Sequence, residues 1–359
     1  MRITEVKTAV LFGSKVFVRV YTDEGLTGIG ECSPMNGPVI KHFIDTVLTP
    51  LVVGQDPRET DRLWTTMLFR PYKLGVQGVH LEAMSGVDIA LWDILGKAAG
   101  MPISTLLGGR YRERVRMYCS IGGGATMSPL DMARRVERAL ADGFTAIKIR
   151  MDWGYHQDVD PAKDWAMFQE CKRVTGDDIP LSFDANCGYA ASTAIQQGRR
   201  FESLGIAHFE EPCAPYDYAA TARVADALDV PVSSGEHEYT RWQFRDLILQ
   251  GNVDIIQPDV VKCGGISEMK RIAVLGETFN RKFLPHQTQP TVGMAANLHV
   301  IASLRDATLP QEFTGVEAPL QALYKEPLVF KDGHITLPSA PGLGLELDDR
   351  AFEQAAAAG

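Results

Sequence analysis

From about residue 115 the chain repeats one unit, a short β-rich run followed by a helical segment. The runs are "RVRMYCSIG", "AIKIRM", "IPLSFDAN", "AHFEEP", "PVSSGE", "DIIQPD", "KFLPH" and "LPQEFTG". Strands that alternate with helices pair in parallel, because each helix carries the chain back to the start of the next strand. Eight strands with seven intervening helices read as an α/β fold, a (β/α)7β barrel of the modified TIM type. The first of these helices opens on "SPLD", with Ser128 as N-cap, Pro129 at the first helical position and Asp131 at the third. Before the repeat, residues 1–30 read as a β meander and residues 39–110 as helices. Beyond about 325 the sequence turns irregular and β-like and is expected to pack on the N-terminal region, and the tail "EQAAAAG" is expected to fray.

Charge falls where the apolar strands end. Lys148 and Arg150, Asp184 with Asn186, Glu210 and Glu211, Glu236 and His237, Asp259, His286 and Glu312 occupy successive strand ends. Taking residues 148, 184, 210, 236, 259, 286 and 312, the steps are 36, 26, 26, 23, 27 and 26 residues, about one βα unit each. All seven are therefore expected on the C-terminal rim, where barrel enzymes carry their active sites. Buried charge at strand ends is costly unless something uses it.

Asp184, Glu210 and Glu236 end three consecutive strands, and three converging carboxylates repel one another without a cation. Oxygen-only ligands on rigid strands suit Mg²⁺. Glu210 is read as the inward ligand of the "FEEP" pair, with Glu211 pointing elsewhere. Asp259 and His286 end neighbouring strands, so the carboxylate can hold one ring nitrogen and leave the other as a base.

Composition narrows the class. The net charge of −9 argues against a nucleic-acid binder. No apolar run reaches membrane-spanning length. The N-terminal run alternates like a strand and shows no signal-peptide cleavage site, and the six cysteines form no CxxC pair. A reduced, cytoplasmic protein is expected.

With these residues in place, the motifs "KIR", "SFDAN", "FEEP", "SGE", "IIQPDVVKCGG", "PH" and "QEF" resemble, in order and spacing, the enolase superfamily and its mandelate racemase subgroup. The resemblance covers nearly the whole chain. It implies an α+β capping domain over residues 1–114, a barrel domain over 115–324, and a C-terminal segment, 325–359, packed on the cap. It also implies abstraction of a proton α to a carboxylate, with Mg²⁺ bound to the substrate carboxylate. On the matching motifs Asp184, Glu210 and Glu236 resemble the metal ligands, and His286 with Asp259 the base dyad. Glu312 resembles an acid that hydrogen-bonds the substrate carboxylate, and Lys148 the lysine before a second-base position. Asp259 stands where muconate-lactonizing relatives carry a base lysine, and Lys262 is read as supporting. A homo-oligomer is expected by the same resemblance.

The sequence departs from two-base racemases at Arg150, which replaces the second lysine of Lys-x-Lys. Arginine stays protonated and is a poor base, though it can anchor a carboxylate. One-base chemistry at His286 is favoured, so dehydration of an aldonate or aldarate to a 2-keto-3-deoxy acid is expected. The alternatives are racemisation or epimerisation of an α-substituted acid, and a non-catalytic sugar-acid binder. Asn186 and His237 are placed as substrate contacts beside the ligands. Lys15, Asn36, Arg70, Tyr72 and Lys73 lie on N-terminal loops expected to reach the substrate.

Overall fold

The structure is a computed structural model that describes residues 1–154, 156–315 and 317–358. The N-terminal region opens with an antiparallel meander, β1 (Ile3–Leu11), β2 (Lys15–Thr22) and β3 (Thr27–Glu31), in the order β1-β2-β3. Period-two alternation gives this sheet one apolar face. Val16, Val18 and Val20 of β2 are fully buried, each contributing about 1.5–3 kcal/mol. They join a cluster that includes Leu81, Met84, Val87 and Leu91 of the helix Val79–Ala99. That helix touches the sheet so closely that a Cβ on Gly30 would lie 1.8 Å from the Gly86 carbonyl oxygen. "TGIGE" thus needs its glycines for a backbone-to-backbone approach.

The same helix faces the barrel with its other side. Asp88 accepts from the Ser267 amide (2.9 Å) and hydroxyl (2.6 Å), and Ser85 Oγ accepts from the Gly264 amide. Trp64, on the preceding helix Thr60–Phe69, donates its indole N–H to the Gly264 carbonyl at 2.8 Å. These buried polar contacts fix how the N-terminal region sits over the barrel.

The eight expected strand runs all form barrel strands. They are β4 (Arg114–Ile121), β5 (Ile147–Arg150), β6 (Leu181–Asp184), β7 (Phe209–Glu210), β8 (Val232–Ser234), β9 (Ile255–Ile256), β10 (Lys282–Phe283) and β11 (Gln311–Phe313). They pair in parallel in sequence order from β4 to β10, and β11 returns to pair with β4. A helix follows each of the first seven. The first, Pro129–Ala141, is capped as expected, with the Asp131 amide donating to Ser128 Oγ.

Alternation along β5 sends Ile147 and Ile149 outward to the helix layer and leaves Lys148 inside the barrel. Phe183 and Phe209 likewise pack outward on Phe201 of the helix Ala191–Glu202. The register aligns Arg150 with Asp184 and Asp184 with Glu210, which places the three at one level of the rim.

After the barrel, β12 (Phe330–Lys331) and β13 (His334–Thr336) form a hairpin that pairs antiparallel with the start of β4. The chain then returns to the N-terminal region, where the Leu343 amide donates to Asp93. These contacts support our proposal that residues 1–114 and 325–359 make one capping unit, with β13 shared with the barrel. The expected fraying of the tail is overturned: Asp349–Ala358 is helical. Alanine favours helix, and Phe352 is buried edge-on against Phe17 with ring centroids 6.0 Å apart, while Arg19 pairs with Asp349. Among the described residues no helix is long and apolar enough to cross a membrane, and all six cysteines are free thiols.

Candidate active site

Lys148 is the cation around which the rim carboxylates gather. It is 1 % exposed. Its Nζ lies 2.5 Å from Glu210 Oε1, 3.0 Å from Glu312 Oε1 and 3.8 Å from Asp184 Oδ2. Burial opposes its charge, yet Glu210 and Glu312 hold its pKa well above the usual lysine range. Glu210 Oε2 also accepts from Gln257 Nε2 at 2.7 Å and faces His208 Nε2 at 3.3 Å. Burial raises the Glu210 pKa, but Lys148 and His208 outweigh it and keep the group ionised. Asp184 is less well compensated: burial and then the Glu210 charge push its pKa well up. One lysine thus faces more buried negative charge than it can neutralise.

A His–Asp pair forms across the ends of β9 and β10. His286 Nδ1 lies 2.8 Å from Asp259 Oδ2, whose other oxygen accepts from the Val261 amide. His286 Nε2 lies 3.3 Å from Glu236 Oε2. Burial lowers the His286 pKa, but Glu236 leads the carboxylates that carry it up to about 10. In turn burial raises the Glu236 pKa, and His286 leads the cations that bring it down to about 2. A cation held among these carboxylates would oppose the rise at His286. Lys262 donates to the Glu236 carbonyl at 2.5 Å and so supports the loop that carries Glu236.

Arg150 pairs with Asp152, Nε to Oδ1 at 2.7 Å, and Asp152 in turn accepts from the Gly123 amide. Asn186 lies between two elements. Its amide and side chain donate to Asp184, and its Oδ1 accepts from the Asp152 amide. It therefore holds Asp184 in place through both oxygens. His237 stands beside Glu211 and Glu236.

The expected contacts from the N-terminal loops are less concentrated. Lys15 pairs with Glu317 at 3.0 Å. Asn36 is exposed at the start of the helix Gly37–Phe43, in the left-handed conformation. Arg70, Tyr72 and Lys73 are exposed around the single turn Tyr72–Leu74. Among the described residues none of these is joined to the rim carboxylates by a hydrogen bond or ion pair. Sequence reasoning missed Gln257 and His208, which flank Glu210. "IIQPD" contains the glutamine, but nothing in the spacing distinguishes it from a polar loop residue.

The donor chemistry of Asp184, Glu210 and Glu236 fits a hard divalent cation, and the excess buried negative charge around Lys148 asks for one. Their oxygens are nevertheless spread more widely than a closed site. Among the described residues the metal-capable group gathered within 4.8 Å is Cys187, Glu211 and His237. Closing on an ion would draw the carboxylates inward.

A parallel barrel with a buried carboxylate rim and a His–Asp pair, covered by an α+β region, defines an enzyme of the enolase-like class. Residues 131–351 match the family described as "Enolase C-terminal domain-like", and residues 2–108 match the mandelate racemase/muconate lactonizing enzyme N-terminal domain. The chain belongs to the mandelate racemase/muconate lactonizing enzyme family. It is 35% identical to a D-galactarolactone cycloisomerase of Agrobacterium fabrum, over 94% of this chain and 90% of that one. It is 33% identical to an arabinonate dehydratase of Saccharolobus solfataricus, with the same coverage. A mandelate racemase/muconate lactonizing protein of Paracoccus denitrificans, solved in complex with magnesium, superposes with a TM-score of 0.93 at 38% identity, covering 98% of this chain and 96% of that one.

Proposed function

We propose that the protein is a Mg²⁺-dependent hydro-lyase that converts a sugar acid, an aldonate or aldarate, to a 2-keto-3-deoxy acid. Asp184, Glu210 and Glu236 would hold the cation. When bound, it supplies electrostatic stabilisation for the negative charge that builds on the substrate carboxylate as the α-proton leaves. His286 Nε2 takes that proton, with Asp259 fixing the ring through Nδ1. The imidazolium then gives the proton to the β-hydroxyl, the Cβ–O bond breaks and water departs. The resulting enol becomes the 2-keto acid by tautomerisation. Lys148 and Glu312 position the carboxylate end, and Arg150 offers a permanent positive charge beside Asp184. Asn186 acts by orienting Asp184, and His237, beside Glu236, is placed to contact the substrate.

The observation that carries this reading is the 2.8 Å contact of His286 Nδ1 with Asp259 on one side of the rim, set against an arginine, not a second lysine, at the end of β5. The dehydratase among the relatives agrees with it. The test is a Mg²⁺-supplemented screen of aldonic and aldaric acids for 2-keto acid formation, with His286→Asn beside the wild type. A product that vanishes in the variant supports the reading. Deuterium exchange at Cα without loss of water would overturn it in favour of epimerisation.

A further inference from the structure

The end of β3 grips both loops that carry the His–Asp pair. Glu31 is the last residue of that strand and is 1 % exposed. Its Oε2 accepts from the Gly293 amide at 2.9 Å and from Thr291 Oγ1 at 3.4 Å, across 262 and 260 residues of sequence. The Ser33 amide, just beyond the strand, donates to the Val261 carbonyl at 3.2 Å. Val261 in turn donates its own amide to Asp259 Oδ1 at 2.9 Å. A third contact leaves the start of β2, where Lys15 pairs with Glu317 on the segment that follows Glu312.

The helix Val292–Ala302 starts where the segment leading away from His286 ends. Its first amides need acceptors from outside the helix, because no preceding turn supplies them. Thr291 holds the N-cap position, yet among the described residues its side chain caps no amide of that helix. Glu31 takes over the role from a distant part of the chain, and a negative charge suits the positive end of a helix. Burial carries the Glu31 pKa up to about 7, while the Gly293 amide and then Lys15 oppose the rise and Asp259 adds to it. The segment 286–291 is thus fixed at both ends. Asp259 holds the His286 ring, Glu312 accepts from the Gln287 amide at 2.9 Å, and Glu31 holds Thr291 and Gly293. We propose that Glu31 is a positioning residue for the base, anchoring the segment that carries His286 so that the seat of the N-terminal region on the barrel sets where His286 Nε2 stands. Misplacing a reacting group by about 1 Å costs up to roughly 10²-fold in rate, so this anchor bears on turnover through His286. The inference rests on the proposed function only in taking His286 as the base.

The test has one arm that needs no substrate. Amide hydrogen exchange is followed by mass spectrometry in the full-length wild type, Glu31→Ala and Glu31→Gln, at a pH above the value of about 7 to which burial carries Glu31. Glu31→Ala should speed exchange over residues 287–294 by roughly 5–30-fold, the change that loss of a helix cap produces, and leave Leu181–Asp184 of β6 as it was. Glu31→Gln keeps an acceptor and loses the charge, so the same local change should appear at roughly 2–5-fold; it carries the test if the alanine variant folds poorly. The second arm uses the acid found in the screen and reads the single-turnover rate per folded chain at saturating substrate. That rate should fall by up to roughly 10²-fold in Glu31→Ala and by less in Glu31→Gln. Unchanged exchange over 287–294 in both variants would overturn the proposal, as would faster exchange spread evenly through the barrel or an unchanged rate per folded chain. A blank sugar-acid screen would count against the proposed function and leave the exchange result standing.

Discussion

Asp259 and His286 stand on adjacent strand ends, 27 residues apart in sequence, with Oδ2 and Nδ1 separated by 2.8 Å. The carboxylate fixes which ring nitrogen faces the rim. Asp259→Asn should therefore keep the fold while removing the charge that orients and supports the imidazole. Turnover is expected to drop by roughly 10²–10⁴-fold, with the thermal midpoint almost unchanged. Steady-state kinetics beside a melting curve checks both halves.

Lys148→Met should leave Glu210, Glu312 and Asp184 buried without their shared cation. Breaking a buried charge cluster by removing one partner costs about 3–5 kcal/mol. We expect that loss in chelator and a smaller one in Mg²⁺, read from denaturant melts under both conditions. Equal losses in the two conditions would argue that no cation enters the rim.

Gly30→Ala tests the contact between the N-terminal sheet and the central helix. The added methyl would meet the Gly86 carbonyl oxygen at 1.8 Å, which backbone on both sides prevents from relaxing. A loss of at least about 1–3 kcal/mol is expected, together with weaker substrate binding as the cap shifts. Gly13→Ala meets no neighbour and serves as the comparison for overpacking, although its φ of +80° adds some strain of its own.

Acid should destabilise the junction around His299. This side chain is fully buried, accepting from the Ser104 amide at Nδ1 (3.2 Å) and facing the Leu343 carbonyl with Nε2 (3.1 Å). Burial lowers its pKa to about 4. A histidine with a lowered folded pKa contributes its stability above its unfolded pKa of about 6.5 and loses it as pH falls through that value towards 4. The full effect is roughly 3 kcal/mol. His299→Gln should flatten the stability profile across that window in pH-dependent denaturant titrations.

The repeat along the chain was enough to reveal the barrel and its rim. A βα unit returns each strand to the same end, so residues about 26 apart come to the same rim: Asp184 and Glu210 share a level, while Glu236 lies three residues past Ser233, the residue opposite Glu210. The Asp259–His286 pairing follows from adjacency of strands for the same reason. Local signals were equally direct where the chemistry is local, as at the Ser128 cap. What periodicity cannot express is which way a side chain turns once the strand has ended. Asn186, Cys187 and Glu211 adopt left-handed backbone (φ 46°, 59° and 42°), and these turns aim Asn186 at Asp184 and bring Cys187 and Glu211 together with His237. Lys148 became the shared cation only because four strands close around it. The tail became a helix because Phe17 and Arg19 were there to receive it. Strand order and rim level are properties of a repeat and are written in the sequence; partners across loops depend on long-range contacts that only the folded chain supplies.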